Sequence, residues 1–209
     1  MAVDEIGLFP LSMVLLPSER VPLHIFEPRY RELIGECLDD GREFGLLLSD
    51  DRGLRRIGTR AVVTEVLERF DDGRLNVVVE GRERFRLVSL TSGRAYQTAE
   101  IEPLEDEPGD PESEEQERAV AQLQRVAELA GADVGEVDAR AATAFELAAR
   151  VEFEPELKQR LLELRSEPAR LKTLTDLLER AAHAIEAQNE TSRIAQTNGH
   201  LQRRPQPPS

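Results

Sequence analysis

Short apolar runs dominate the first hundred positions, and they have the length of strands rather than of helices. They occupy 6–16, 44–48, 60–70, 74–80, 84–90 and 95–101. A proline inside the first run, Pro10, is typical of an edge strand or a bend. Asp71-Asp72-Gly73 predicts a hairpin turn, since Gly readily supplies a positive φ, and Gly81-Arg82 predicts a second turn. This spacing predicts a small antiparallel sheet or barrel.

One helix interrupts these strands. Its apolar residues follow the spacing of a single helical face: Tyr30, Leu33, Ile34, Cys37 and Leu38. Pro28 suits the first helical turn, where its missing N–H would have no partner anyway, and Gly41 suits the end of the helix. The pattern predicts about three turns of amphipathic helix packed against the sheet.

The second half of the chain has a helical pattern. Apolar stripes lie within 119–130, 144–151, 157–164 and 171–185, with Gly131 ending the first and prolines opening the last two. Each stripe must bury its apolar face, and a small bundle is the simplest way to do so. The pattern is lost from Gln188 onward, so a disordered tail is expected over 188–209.

An acidic joint separates the two halves. Residues 100–117 hold ten carboxylates, three prolines and a glycine, a composition that buries little apolar surface. The expected division is a β-rich part over 1–104, a solvated linker over 105–116 and a helical bundle over 117–187. The alternative interpretation of the joint is an acidic docking patch.

Charge and composition exclude several classes of function. The 209 residues include 27 basic and 41 acidic side chains, a net charge of −14, and such a chain binds nucleic acid poorly unless its basic residues cluster. A single cysteine excludes a disulfide framework, and the three scattered histidines do not suggest a metal site. No apolar run has the length of a membrane span, and the N-terminus is acidic. A cytoplasmic protein without cofactor, nucleic acid or membrane partner is expected.

Catalytic motifs are missing from the sequence. A Walker A loop requires Gly before its Lys, but Lys158 and Lys172 both follow Leu. His24 with Glu27 is the best candidate for acid–base chemistry, yet no nucleophile motif accompanies the pair, and a structural histidine is favoured. Cys37, on the apolar helix face, is expected to be a small buried hydrophobe.

Two groups of charged residues have ordinary structural interpretations. Arg82, Arg84 and Arg86 alternate along a strand, which predicts a solvent-facing row with cross-strand ion pairs. Glu27 is placed to cap the helix that follows, and Arg29 to pair with an acidic neighbour. The alternative is that these helix-start residues rim a surface that grips an extended peptide.

Several strings of residues resemble the N-terminal substrate-binding domain of Lon protease. They are LFPL at 8–11, VLLP at 14–17, PLHIFEPRYR at 22–31, GRERFRL at 81–87 and PELKQRLLE at 155–163. The resemblance covers about 5–187 and is most similar to the free-standing form of the domain. It implies an α+β fold: a β-rich, PUA-like pseudo-barrel with one amphipathic helix, followed by a C-terminal helical bundle.

The resemblance also implies a role in recognising exposed or unfolded polypeptide. A full Lon chain continues into an ATPase module with a Walker A loop and a peptidase module with a Ser-Lys dyad. Neither is expected in this sequence, so no enzymatic activity and no catalytic residue are predicted.

The leading hypothesis is therefore a non-catalytic module that binds unfolded or extended polypeptide. An open strand edge pairs with a peptide backbone, and apolar side chains beside it add preference. The proposed contact residues, chosen for expected exposure beside the helix start, are Met13, Leu15, Phe26, Arg29 and Tyr30. The alternative is an adaptor or regulatory subunit that docks one folded partner, such as a protease or an ATPase. The sequence leaves the oligomeric state open.

Overall fold

Seven strands form the first part of the fold. The structure, a computed structural model, describes residues 4–139 and 141–200, with side chains up to Thr191. The strands are β1 (Asp4–Leu11), β2 (Arg20–Ile25), β3 (Phe44–Asp50), β4 (Gly53–Leu54), β5 (Ile57–Arg69), β6 (Leu75–Thr91) and β7 (Thr98–Pro103).

Five of these strands close into a ring. The order along the sheet is β1-β7-β6-β5-β3, and β1 also pairs with β3, in parallel, through registers such as Leu8 with Gly45. The interior of the ring is filled by apolar side chains, among them Leu8, Leu47, Phe85 and Ile101. Closure removes the exposed edges of these five strands along their paired stretches.

The long strand β6 corrects the sequence-based prediction at one point. The hairpin between β5 and β6 forms at the predicted Asp71–Gly73 turn, where Gly73 has φ 84°. The second predicted turn, at Gly81-Arg82, is wrong, since β6 runs without a break for 17 residues. An irregularity in the pairing lies there instead, between Thr59 and Ala61 of the partner strand.

The burial of Arg84 differs from the sequence-based prediction. Arg82 and Arg86 are exposed, whereas Arg84 is buried although it stays in register with Arg86, opposite Thr59 and Ile57 of β5. A segment from the second half of the chain covers Arg84, whose guanidinium donates to the carbonyls of Leu162 and Leu164. Only 5% of the Arg84 side chain is exposed. The prediction that all three arginines face solvent is therefore wrong for Arg84.

The helix between β2 and β3 confirms its prediction. Helix α1 spans Pro28–Asp40, with proline in its first turn and Gly41 at its end in the left-handed conformation. Tyr30, Leu33, Ile34 and Cys37 are its buried residues. They pack against side chains of the sheet, which fixes the start of α1 beside the end of β2.

Four further helices pack around a common core. They are α2 (Ser113–Ala130), α3 (Ala144–Ala148), α4 (Pro155–Glu163) and α5 (Glu167–His200). Their core includes Leu123, Leu147, Leu161 and Leu174, all with almost no exposed surface. Val14, Leu16 and Leu48 from the β-rich half join the same core. The two halves therefore share apolar contacts instead of being tethered only by a linker.

The acidic joint is shorter and better anchored than predicted. Helix α2 begins at Ser113, so the end of the expected linker is helical. The backbone N–H of Glu107 donates to the carbonyl of Arg165 at 2.7 Å, and the Arg165 Nε donates to the carbonyl of Glu105 at 3.0 Å. Asp106 bonds to both Arg84 and Arg170. The segment 105–112 is thus mostly exposed, but hydrogen bonds and ion pairs of Glu105, Asp106 and Glu107 anchor it to the second half of the chain.

The end of the chain differs from prediction as well. Helix α5 continues to His200, whereas the sequence pattern predicts a disordered tail from Gln188. The remainder of that prediction, over 201–209, lies outside the described residues. Among the helices described, none combines the length and the apolar character that crossing a bilayer requires.

Candidate functional site

Three aromatic rings meet at an exposed corner of the fold. We call His24, Phe26 and Phe70 the aromatic corner. The ring of His24 stacks on Phe26 with centroids 5.9 Å apart and meets the edge of Phe70 at 6.0 Å. The Phe26 residue is 60% exposed, more than the other large exposed apolar residues of the described chain. Such an apolar surface loses its contact with water only when another molecule covers it.

Strand periodicity places these residues together. Along β2, Ile25 turns into the core, whereas His24 faces outward, and Phe26 follows on the outward side of the chain. Across the sheet, His24 pairs with Asn76 of β6, which in turn pairs with Glu68 of β5. The His24 Nδ1 lies 2.6 Å from the Asn76 Oδ1, and the Asn76 Nδ2 donates to Glu68 at 3.0 Å.

The turn that carries Phe70 is held by helix α1. The Arg31 guanidinium donates to the Asp72 carbonyl at 2.5 Å. A Cβ added at Gly73 would lie 2.7 Å from the Arg31 Nη1, so a side chain has little space there. The φ of Gly73 is also positive, a conformation that favours glycine. The turn and the start of α1 are thereby fixed to each other, and the corner is formed before any ligand arrives.

The cations beside the corner are already paired. Arg29 donates to Glu27 at 2.7 Å, and Arg74 donates to Asp72 at the same distance while it covers the ring of Phe70 at 5.0 Å. Glu27 is the N-cap residue of α1, but its side chain makes no capping hydrogen bond, so the expected capping by its carboxylate is wrong. Its carboxylate instead serves Arg29. Because these charges are internally compensated, the corner offers mainly apolar area to a ligand.

The structure separates the five predicted contact residues into two groups. Phe26 and Arg29 are exposed, and Met13 is partly buried in the segment between β1 and β2. Leu15 and Tyr30 are core residues, so the exposure expected for them is wrong.

The burial of these two residues has a clear physical cause. Along the extended segment before β2, Val14 and Leu16 turn into the helical core, so Leu15 between them turns into the core under the sheet. Tyr30 sits in the first turn of α1 and stacks on Phe9 with ring centroids 4.1 Å apart. Neither side chain is accessible to a ligand without unfolding.

Candidate nucleophiles near the site are kept protonated. Burial raises the pKa of Cys37 to about 11, despite the opposing charge of Arg42. Burial also raises the pKa of Tyr30, with Arg29 lowering it and Glu27 raising it less strongly. At neutral pH both groups are therefore neutral, and the Cys37 thiol is shielded from reagents, as expected for a small buried hydrophobe.

The proposed acid–base pair of His24 and Glu27 is not assembled. The hydrogen bonds described for the two side chains go to Asn76 and Arg29, respectively, and not to each other. Among the described side chains, those of 4–139 and 141–191, the acidic, histidine and cysteine residues form no group of three or more suited to a metal ion.

Sequence reasoning missed two residues of the corner, Phe70 and Asn76. Phe70 directly precedes the Asp71–Gly73 turn, and a large aromatic residue beside a tight turn is a signal that its ring has few neighbours. Asn76 gave no signal, because its role depends on the register that places it opposite His24.

The chain is similar to known proteins over most of its length. The family model described as the ATP-dependent protease La (LON) substrate-binding domain matches residues 5–180. Lon protease of Parabacteroides distasonis is 30% identical over 129 residues, covering 57% of this chain and 16% of that protein. Lon protease 2 of Myxococcus xanthus is 27% identical over 198 residues, covering 86% of this chain and 24% of that protein. The chain thus spans less than a quarter of the length of either relative.

A solved structure extends the likeness to the fold. The crystal structure of a Lon N-terminal domain protein from Xanthomonas campestris superposes with a TM-score of 0.66 at 25% identity. The superposition covers 82% of this chain and 96% of that one. The two chains therefore share a mixed fold of a β-rich sheet and helices over nearly the whole length of the solved structure.

Proposed function

Since the chain belongs to the Lon protease substrate-binding domain family, we propose that it is a non-catalytic module that binds exposed or unfolded segments of other polypeptides. The closed ring of strands and the helices packed beside it support the further assignment of a PUA-like pseudo-barrel followed by a helical bundle. The proposed parts, 1–104 and 117–187, meet at the acidic segment 105–116.

The observation that carries this proposal is the exposure of Phe26 within the aromatic corner. Folded proteins bury most of their large apolar side chains, whereas unfolded chains present them to any apolar surface. Covering one phenylalanine ring is worth about 1.5–3 kcal/mol, enough to distinguish an unfolded client from its folded form. The polar groups around the corner are paired with one another, so covering them with a client costs little free energy.

Substituting Phe26 tests the proposal. Phe26→Ala is expected to weaken binding of a reduced and carboxymethylated model protein by roughly tenfold, because about 1.5 kcal/mol of apolar contact is lost. The measurement is fluorescence anisotropy of the labelled unfolded protein, titrated with the whole chain. Since the ring is largely exposed, the free energy of unfolding should hardly change.

A matched control lies at the far end of β6. Leu90 is exposed to a similar extent, 54%, but it pairs with β7 and not with β2, so Leu90→Ala should bind like the parent protein. Equal losses in both variants, or none in Phe26→Ala, would remove the corner as the binding surface. Preference for the folded form of the model protein would favour the alternative function, an adaptor for one folded partner.

A further inference from the structure

Strand β2 leaves one of its two edges without a backbone partner. It pairs with β6 over Arg20–Ile25, and the backbone hydrogen bonds described for those six residues all belong to that pairing. The five-stranded ring does not include β2. An edge of this kind presents unpaired N–H and C=O groups in a row.

The phase of the ladder identifies the groups that face this open edge. Opposite residues in an antiparallel pair alternate between exchanging both backbone hydrogen bonds and exchanging none. The N–H of Gly81 donates to the carbonyl of Glu19 at 2.9 Å, immediately before Arg20 pairs with Glu80. Counting from there, Val21, Leu23 and Ile25 bond to β6, while the backbone groups of the residues between them point away.

Pro22 agrees with this phase. Proline has no N–H, and within a sheet it is tolerated where that group would face away from the ladder. Its place opposite Val78 is such a position, so it costs β6 no hydrogen bond. The open edge therefore carries two N–H donors, from Arg20 and His24, and three carbonyl acceptors, from Arg20, Pro22 and His24.

Side-chain burial also indicates a missing neighbour. Val21 and Leu23 point toward the same core as their partners Val79 and Val77 in β6. The β6 residues are completely buried, whereas Val21 and Leu23 remain partly exposed. A strand added beside β2 would cover both side chains, as β2 itself covers those of β6.

We propose that an extended segment of a polypeptide client binds as an additional strand on the open edge of β2, beside the aromatic corner. This inference rests on the proposed function and specifies how the client is held. The client donates N–H groups to the carbonyls of Arg20, Pro22 and His24, and its own carbonyls accept from Arg20 and His24. Recognition through backbone groups is independent of sequence, and Phe26, directly after the strand, adds an apolar contact at one end.

Backbone methylation of a peptide probe tests this mode directly. The probe is a fluorescein-labelled nonapeptide of alternating valine and threonine with a central phenylalanine. N-methylation is moved along it one residue at a time, and anisotropy gives the affinity for the whole protein. Only every second N–H of an added strand faces its host. Methylation at these alternate positions should therefore lower the affinity of the peptide roughly tenfold or more, and methylation at the positions between them should lower it little. A uniform response along the peptide would overturn strand addition.

A pair of variants tests the same mode from the protein side. Arg20→Pro removes the N–H that faces the open edge, and it breaks no hydrogen bond between β2 and β6. Arg20→Ala removes the same side chain but keeps that N–H. Peptide affinity should fall roughly five- to tenfold in Arg20→Pro and stay near the parent value in Arg20→Ala. Equal affinities in the two variants would contradict strand addition. If Arg20→Pro does not fold, the methylation series on the parent protein still decides.

The outcomes also separate this inference from the function on which it rests. Binding that depends on Phe26 but responds uniformly to N-methylation would leave polypeptide recognition standing and overturn strand addition alone. No binding of either the peptide or the unfolded model protein would overturn both.

Discussion

At the scale of single residues, two nearly inaccessible arginines meet where the sheet joins the helices. The Arg84 and Arg170 side chains are only 5% and 3% exposed, and both lie over the ring of Phe145. Arg84 donates to the carbonyls of Leu162 and Leu164 at 2.7 Å and 2.6 Å. Two buried guanidinium groups this close repel each other, so a shared counter-charge is required.

Asp106 supplies that charge from the acidic joint. It is bonded to both arginines. Although partial burial opposes the effect, the hydrogen bond from Arg170 and the charges of Arg84 and Arg170 lower the pKa of Asp106. The carboxylate is thus ionised wherever the protein is folded near neutral pH. One acidic residue among ten in the joint therefore has a structural role that composition could not single out.

Removing this charge should destabilise the fold. Breaking a fully buried pair costs about 3–5 kcal/mol, and since the Asp106 side chain is 39% exposed, we expect Asp106→Asn to cost about 2 kcal/mol. Urea unfolding followed by circular dichroism measures this change. Glu107→Gln is the matched control: its partner Arg165 is 3.8 Å away at the surface, and the change should be within about 0.5 kcal/mol.

The pH dependence of the same variant has a definite sign. Because the folded pKa is depressed, the contribution of Asp106 is present above the unfolded value, about 3.9, and is lost as the pH falls through the folded pKa. The difference between the parent protein and Asp106→Asn should therefore shrink in acid. A difference that stays constant from neutral pH to about pH 3 would contradict this role.

At the scale of elements, β6 shows how a distant segment overrides a local turn signal. Gly81-Arg82 has turn-forming composition, yet the strand continues through it. The carbonyl of Leu16 approaches so closely that a Cβ at Gly81 would lie 2.1 Å from its oxygen. Hydrogen bonds from Ser18 to Gly81 and from Gly81 to Glu19 fix this approach. Glycine is needed there for space.

Replacing this glycine should be costly. Gly81→Ala places a methyl group against the Leu16 carbonyl, so the segment before β2 must shift, and we expect a loss of about 3 kcal/mol in the free energy of unfolding. Chemical denaturation measures the loss. Gly35, inside α1 with open space around it, is the control: Gly35→Ala should stabilise the protein by about 0.5–1 kcal/mol. Equal effects at the two positions would refute the steric explanation.

The same scale shows which elements the sequence could predict. Helix α1 was predictable because its period, its opening Pro28 and its closing Gly41 are local signals that agree. Strand β2 was not predictable, because Pro22 weakens its strand signal and its existence depends on pairing with β6, fifty or more residues away. The sequence identified Phe26 as a contact residue but not Phe70, because the two residues become neighbours only through this long-range pairing of strands.

At the scale of the whole molecule, composition suggested two parts joined by a linker, but the contacts join them into one structure. Val14, Leu16 and Leu48 reach from the β-rich half into the helical core, and Lys158 of α4 pairs with the buried Glu19. No local sequence pattern predicts this packing of the two halves, since each contact joins residues far apart in the chain. The helices therefore help to hold β2 in place, because the segment that precedes it packs Val14 and Leu16 into the helical core.

The two halves should consequently unfold together. The only two tyrosines of the sequence, Tyr30 and Tyr96, are buried under the sheet, so near-ultraviolet circular dichroism reports on that half, while the signal at 222 nm reports mainly on the helices. Leu16→Ala removes a completely buried side chain from the shared core and should cost about 3 kcal/mol. Both signals should then shift to the same lower urea midpoint, as a single cooperative transition requires. A helical signal that moves while the tyrosine signal keeps its parent midpoint would mean that the halves fold independently.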